Sequence, residues 1–148
     1  MSTTGSALRW SRSLSPTGSI AQLALRGDEP VMAPRVLRDS LFQYAEEGVV
    51  LDERDSDRAV LIVPLRARGR TVGLLALAAR SGRVFASAEL TVAEQLARRA
   101  ARALSSVGVA ARASGVARDT HVALEGESAA LYALAGGGER LVLVAESR

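Results

Sequence analysis

With 148 residues, 48% of them apolar, the chain has the size of one ordinary domain built on a single core. It contains no cysteine, which excludes disulfides, thiolate nucleophiles and Cys-ligated metals. Its apolar runs, such as Leu74 to Ala79, fall far short of the ~20 residues of a membrane-spanning helix. Net charge is only +3 although the pI is near 10.5, because all 19 basic residues are arginine. Lysine and asparagine are absent, isoleucine occurs only at Ile20 and Ile62, and alanine is abundant. That is the signature of GC-rich codons, as in an actinobacterial genome, so arginine richness says little about nucleic acid. With 3% aromatic residues there is no stacking platform for single strands either, and nucleic acid is not an expected partner. The opening MSTTGSALRWSRS lacks the apolar h-region of a secretory signal, and a cytoplasmic location is expected.

Taken in chain order, residues 1–18 are Ser/Thr-rich with one tryptophan, Trp10, and read as a flexible lead-in. Ser19 then caps a short helix, IAQLALR, in which Ile20, Leu23 and Ala24 share a face and Gly27 ends the run. EPVMAP, Glu29 to Pro34, is extended, because proline disfavours helix in the residue before it. Arg35 to Glu47 spaces Val36, Leu37, Leu41, Tyr44 and Ala45 at helical intervals, and DERDSD beyond it is a solvated acidic loop.

Ala59 to Leu65 and Thr71 to Ala79 are the strongest strand signals, short and rich in β-branched residues. Neither alternates apolar with polar, so the hairpin is expected to be covered on both faces. Its link, Arg66-Ala67-Arg68-Gly69-Arg70, lacks the GK[ST] of a phosphate-cradling loop and does not lead into a helix, so it reads as a turn. The clearest helix follows, from a cap at Ser87 to Val107. Leu90, Ala93, Ala97, Ala100, Leu104 and Val107 form a heptad-like stripe on it. That narrow, small-residue seam suits packing on this chain's own sheet, a helix shared between two subunits, or both at once. Val109 to Thr120 is either a second helix interrupted at Gly115 or a linker. Ser128 to Leu134 and Arg140 to Ala145, joined by AGGGE, form a second hairpin.

At this point AVLIVPLRARGRTVGLLALAARSGRVFASAELTVAEQLARRAARAL resembles the second half of a GAF domain, the small sensor module of bacterial signalling proteins. LALRGDEPVMAP is similar to the helix, turn and strand upstream of it, so residues 19–107 carry the likeness. SAALYALAGGGERLVLVAES, within 121–148, looks like the same family's opening hairpin, displaced to the end. Two arrangements fit: a circularly permuted single domain over 19–148, or a slice through a tandem array whose hairpins pair between chains. A single compact sheet is favoured, because otherwise apolar strand edges lie open.

The resemblance implies an α+β fold, a mostly antiparallel sheet with helices packed on it. It also implies a non-catalytic sensory or regulatory role, binding a small ligand, dimerising, or both. By the same likeness a ligand pocket lies between the sheet and Arg35 to Asp57, with Leu41, Phe42 and Tyr44 lining it; the same residues could simply fill the core. The dimer helix would use Leu90, Ala93, Ala97, Ala100 and Leu104. Partners are then a second copy or an effector of a signalling system. Family members that reduce methionine sulfoxide or attach bilins rely on cysteine, and the cyclic-nucleotide subset carries an NKxxF-type motif, so none of these three activities fits this composition, which lacks cysteine, lysine and asparagine.

Chemistry elsewhere is sparse. His121 is the only histidine, which rules out two-histidine metal sites, and no GxSxG elbow accompanies it. It reads as an exposed histidine rather than an axial ligand. The acidic loop lacks the glycine and terminal glutamate of an EF-hand. No cofactor and no metal are expected. Two rival functions stand beside the sensor: an assembly piece pairing through exposed hairpins without a pocket, and, last, an enzyme using His121.

Overall fold

The computed structural model describes residues 13–15, 20–27, 29–36, 43–44, 58–104, 109–135 and 140–148. Among them run seven strands: β1 (Ser13–Ser15), β2 (Val31–Val36), β3 (Gln43–Tyr44), β4 (Arg58–Ala67), β5 (Arg70–Arg80), β6 (Ser128–Ala135) and β7 (Arg140–Ser147). They form a single antiparallel sheet in the order β2-β4-β5-β6-β7-β1-β3. Three helices accompany it: α1 (Ile20–Arg26), α2 (Ser87–Leu104) and α3 (Val109–Ala123). The architecture is the expected α+β, an antiparallel sheet with helices packed on it.

The missing alternation in β4 and β5 has a direct cause. Side chains of a strand alternate between faces, and here both faces are dry. Ala59, Leu61, Val63 and Leu65 of β4 join Leu75, Leu77 and Ala79 of β5, with Ala129 and Leu131 of β6, in a core against α2 and α3. The intervening residues Val60, Ile62, Leu74, Ala76, Ala78, Ala130, Tyr132 and Leu141 form a second core on the opposite face, where Ala21 and Ala24 of α1 pack. Each fully buried leucine or isoleucine contributes about 1.5–3 kcal/mol, so this double covering is the main source of cohesion.

The turn of the first hairpin contracts to Arg68-Gly69, with φ of 53° and 76°, the two positive angles of a type I′ turn. Arg66, Ala67 and Arg70 are already strand. A register shift between Leu65 and Arg66 leaves Val72 as the extra residue of a bulge. The terminal hairpin lies in the same sheet: β6 pairs with β5 from Gly73↔Ala133 to Ala78↔Ser128, and β7 lies beyond it. The apolar edge of β5 is therefore closed within the chain.

Several local expectations are corrected. Within the lead-in, Ser13–Ser15 forms β1, adding backbone hydrogen bonds to the outer edge of β7. On α1 it is Ala21 and Ala24 that are fully buried, whereas Leu23 is 59% exposed, because the helix rolls its small residues onto the sheet. Arg35 and Val36 belong to β2 and Gln43–Tyr44 to β3, not to a helix; the pairings of Val36 with Arg58 and of Tyr44 with Leu14 override the helical spacing. Residues 37–42 and 45–57 lie outside the described residues, as does Val107. Val109–Ala123 is one helix that continues through Gly115.

The cap of α2 is also not where the sequence suggests. The amide of Leu90 donates to the carbonyl of Ala86 at 3.0 Å, which makes Ala86 the cap position and Ser87 the first helical residue. Glu89 supplies what an alanine cannot, its Oε1 accepting from the amide of Ala86 at 2.9 Å, one half of a capping box.

Candidate functional site

Of the side chains proposed for a ligand pocket, Leu41 and Phe42 lie outside the described residues. Tyr44 is placed only through its backbone, in β3 at the outer edge of the sheet. The helix stripe is well defined. Ala93, Ala97 and Ala100 are buried against this chain's own sheet and α3, and Leu90 and Leu104 are half-buried at the margin of the same core. The small seam lets α2 approach β4, β5 and α3 closely, which is the intrachain use of such a stripe.

The larger of two clefts described among these residues, about 580 Å³, opens at the end of the sheet away from the arginine turn. Arg80, Ser81, Gly82 and Arg83 line one side and Glu125 and Glu127 the other. Its walls are two turns brought together by the β5–β6 pairing. On one side β5 ends at Arg80, and the amide of Arg83 donates to the Arg80 carbonyl at 3.1 Å, closing a turn in which Gly82 has φ 89°. On the other side α3 ends in a Schellman motif, with Gly126 N–H donating to the His121 carbonyl at 3.1 Å and Glu125 N–H to the Val122 carbonyl at 3.2 Å. The residue in the left-handed position of that motif is Glu125, φ 50°, where glycine would be the unstrained choice. A glutamate held there is one of the cleft's two carboxylates. The amide of Glu127 then donates to the Ala78 carbonyl at 2.8 Å, fixing the second wall to β5.

Arg83 joins these parts. Its Nη1 donates to the Glu125 carbonyl at 2.8 Å, its Nη2 donates to Glu89 Oε2 at 2.8 Å, and its guanidinium carbon sits 4.4 Å from the centroid of the Phe85 ring. Phe85 is buried, and its amide donates to the sulfur of Met32 on β2 at 3.2 Å. One side chain thus ties the β5–α2 turn, the first turn of α2 and the α3–β6 turn. The Ala86 amide first, and the Arg83 guanidinium second, hold the Glu89 carboxyl below its ordinary value. Partial burial of the Glu89 side chain opposes this shift without outweighing it. Facing charges of opposite sign make the cleft complementary to a small polar ligand carrying both signs, rather than to a simple anion or cation.

His121 is half-buried on α3, its Nδ1 3.0 Å from Ser147 Oγ on β7. Neither residue lines the cleft, and the contact ties a helix to a strand. Among the described residues no three His, Asp or Glu side chains gather as a metal site, and no helix is long and apolar enough to cross a membrane.

What sequence reasoning missed was Arg83 and Glu125, separated by 42 positions and joined only in the folded sheet. The local signal available was a glutamate just past a helix end followed by glycine, and it named neither partner. No curated protein and no solved structure matches the chain significantly. A family model does: that of the GAF domain matches residues 3–104, over half the chain and including β4, β5, the Arg83 turn and α2. The chain belongs to the GAF domain family, whose members are sensory and regulatory modules.

Proposed function

We propose that the protein is a non-catalytic, cytoplasmic sensory module of bacterial signalling that reads a small ligand at the Arg80–Glu127 cleft and hands its state to a partner through α2. The observation that carries this reading is the triple engagement of Arg83. A ligand carboxylate or hydroxyl entering the cleft competes with Glu125 and Glu89 for the same guanidinium. Whatever it displaces loosens or tightens the first turn of α2. A ligand shifts the output only if it binds two arrangements of that helix unequally, and a shared arginine is a physical means to that difference. The partner is an effector or a second copy, engaged through the outward side of α2. Its buried stripe then serves to hold the helix on the sheet.

A thermal-shift screen against amino acids, other small zwitterions and nucleotides tests this. At least one compound should raise the melting temperature of the parent and leave an Arg83→Met variant unmoved. Hydrogen exchange of the α2 amides should change on binding. Absence of any stabilising compound, combined with a melting temperature that rises with protein concentration, would replace the sensor with an assembly role.

A further inference from the structure

At the opposite end of the sheet, a second and smaller cleft lies between β4 and α2. It measures about 140 Å³ and is lined by Val63, Pro64, Arg66, Glu94, Ala97 and Arg98. Its floor is apolar, since Val63, Pro64 and Ala97 are all buried. Arg66 ends the β4 wall, and its guanidinium is held in place by the turn beneath it. Nη2 donates to the Gly69 carbonyl at 2.8 Å and Nη1 to Thr71 Oγ1 at 3.1 Å. Arg98 and Glu94 form the α2 wall, one helical turn apart in the order that favours an ion pair. Yet neither makes an ion pair or hydrogen bond with any described residue. Two guanidinium groups and one carboxylate therefore border the same small space, and Arg68 and Arg70 at the turn, with Arg102 one turn along α2, add positive potential around it.

We propose that this cleft binds a phosphate group that keeps at least one proton, as inorganic phosphate or as a small phosphate monoester. Charged phosphate oxygens accept from Arg66 and Arg98, whose forked donors suit them. The remaining P–O–H donates to Glu94. A carboxylate ligand is already deprotonated near pH 6, and a nucleic-acid phosphodiester or a sulfate is too, so each would set a bare oxygen against Glu94. A phosphate monoester, with its second pKa near ~6, keeps the proton that the third wall needs. The volume admits a single such group with a small apolar part over Val63 and Pro64, not a strand of polymer.

Titration calorimetry at pH 6 and fixed ionic strength, using inorganic phosphate, phenyl phosphate and phenyl sulfate, tests the assignment. Phosphate binding should saturate, and phenyl phosphate should bind at least about tenfold more tightly than phenyl sulfate. Arg98→Ala should weaken phosphate about tenfold, while Arg102→Ala, outside the cleft, changes it less than about twofold. Glu94→Gln should bring the sulfate ester to within about threefold of the phosphate ester, since an amide can donate to a bare oxygen. Tighter binding of phenyl phosphate than of inorganic phosphate assigns the site to monoesters; equal binding assigns it to the free anion. Unsaturable binding, equal losses in the two arginine variants, or no preference over sulfate would each overturn the proposal. All three substitutions are at exposed positions, so the variants fold. None touches the Arg83 cleft, and failure here leaves the sensory reading intact.

Discussion

Replacing Gly73 with alanine tests the join between the two hairpins. Gly73 sits in β5 opposite Leu65 on one side and Ala133 on the other. A Cβ placed there would stand 2.1 Å from the Tyr132 carbonyl oxygen, 3.1 Å from its carbon and 3.2 Å from Leu104 Cδ1. Carbon and oxygen rarely approach closer than about 3.3 Å, so β6 would have to retreat by roughly 1 Å. The obstacle is backbone, which cannot swing aside as a side chain would. Overpacking of this kind costs about 1–3 kcal/mol, and one or two weakened ladder hydrogen bonds add about 1 kcal/mol each. Alanine's smaller unfolded-state entropy returns about 0.5–1 kcal/mol. The net loss is about 3 kcal/mol, against a total stability on the order of 5–15 kcal/mol for a domain. In urea unfolding at an m-value of roughly 1–2 kcal/mol per molar, the midpoint should fall by about 2 M. Gly115 provides the control. A Cβ added there meets nothing within 4 Å, inside α3, so Gly115→Ala should stabilise by about 0.5–1 kcal/mol. Should Gly73→Ala lose less than about 1 kcal/mol, β5 and β6 are not joined in the register described here.

Ala100, fully buried, should tolerate leucine poorly, losing about 1–3 kcal/mol in chemical denaturation. If the stripe instead served a dimer contact, sedimentation would show weaker self-association with monomer stability unchanged. Glu89 titrates below its ordinary value in the fold, so its contribution is present above the unfolded pKa and is lost as pH falls through the lowered folded value. Stability of the parent should therefore fall more steeply than that of Glu89→Gln as pH drops below about 4.5, and parallel pH curves would refute the pairing. Glu125→Gly should raise stability by about 1 kcal/mol by relieving the left-handed position. That variant should also weaken any ligand found at the Arg80–Glu127 cleft, giving opposite effects in melting and in binding.

Much of this fold is legible locally. The β-branched runs of β4 and β5, their arginine-tipped turn and the small-residue stripe of α2 are written in residue type and spacing. The absence of alternation in β4 foretells a strand covered twice, and Leu61 and Ile62, adjacent and both buried, go to opposite cores. The local signals fail where a tertiary partner outweighs them. Ser87 looks like a cap, but Phe85 is drawn into the core and the helix begins one residue after Ala86. Gly115 looks like a break, yet α3 runs through it because Ala113, Val116 and Ala117 bury against the sheet on either side.

Residue type and periodicity determined α1, α2 and the strands of the two hairpins, though not β1, β3 or the end of β2, and ruled out cysteine, two-histidine and P-loop chemistry. Only the folded chain decided that Gly73 would face Ala133, that Arg83 would reach Glu125, and that Arg66 would stand across a cleft from Arg98. Backbone dihedrals and side-chain spacing act over a few residues, so a sequence carries them openly. Contacts between distant segments depend on which strand edges close on one another, a choice made by burial and backbone hydrogen bonding across the whole sheet.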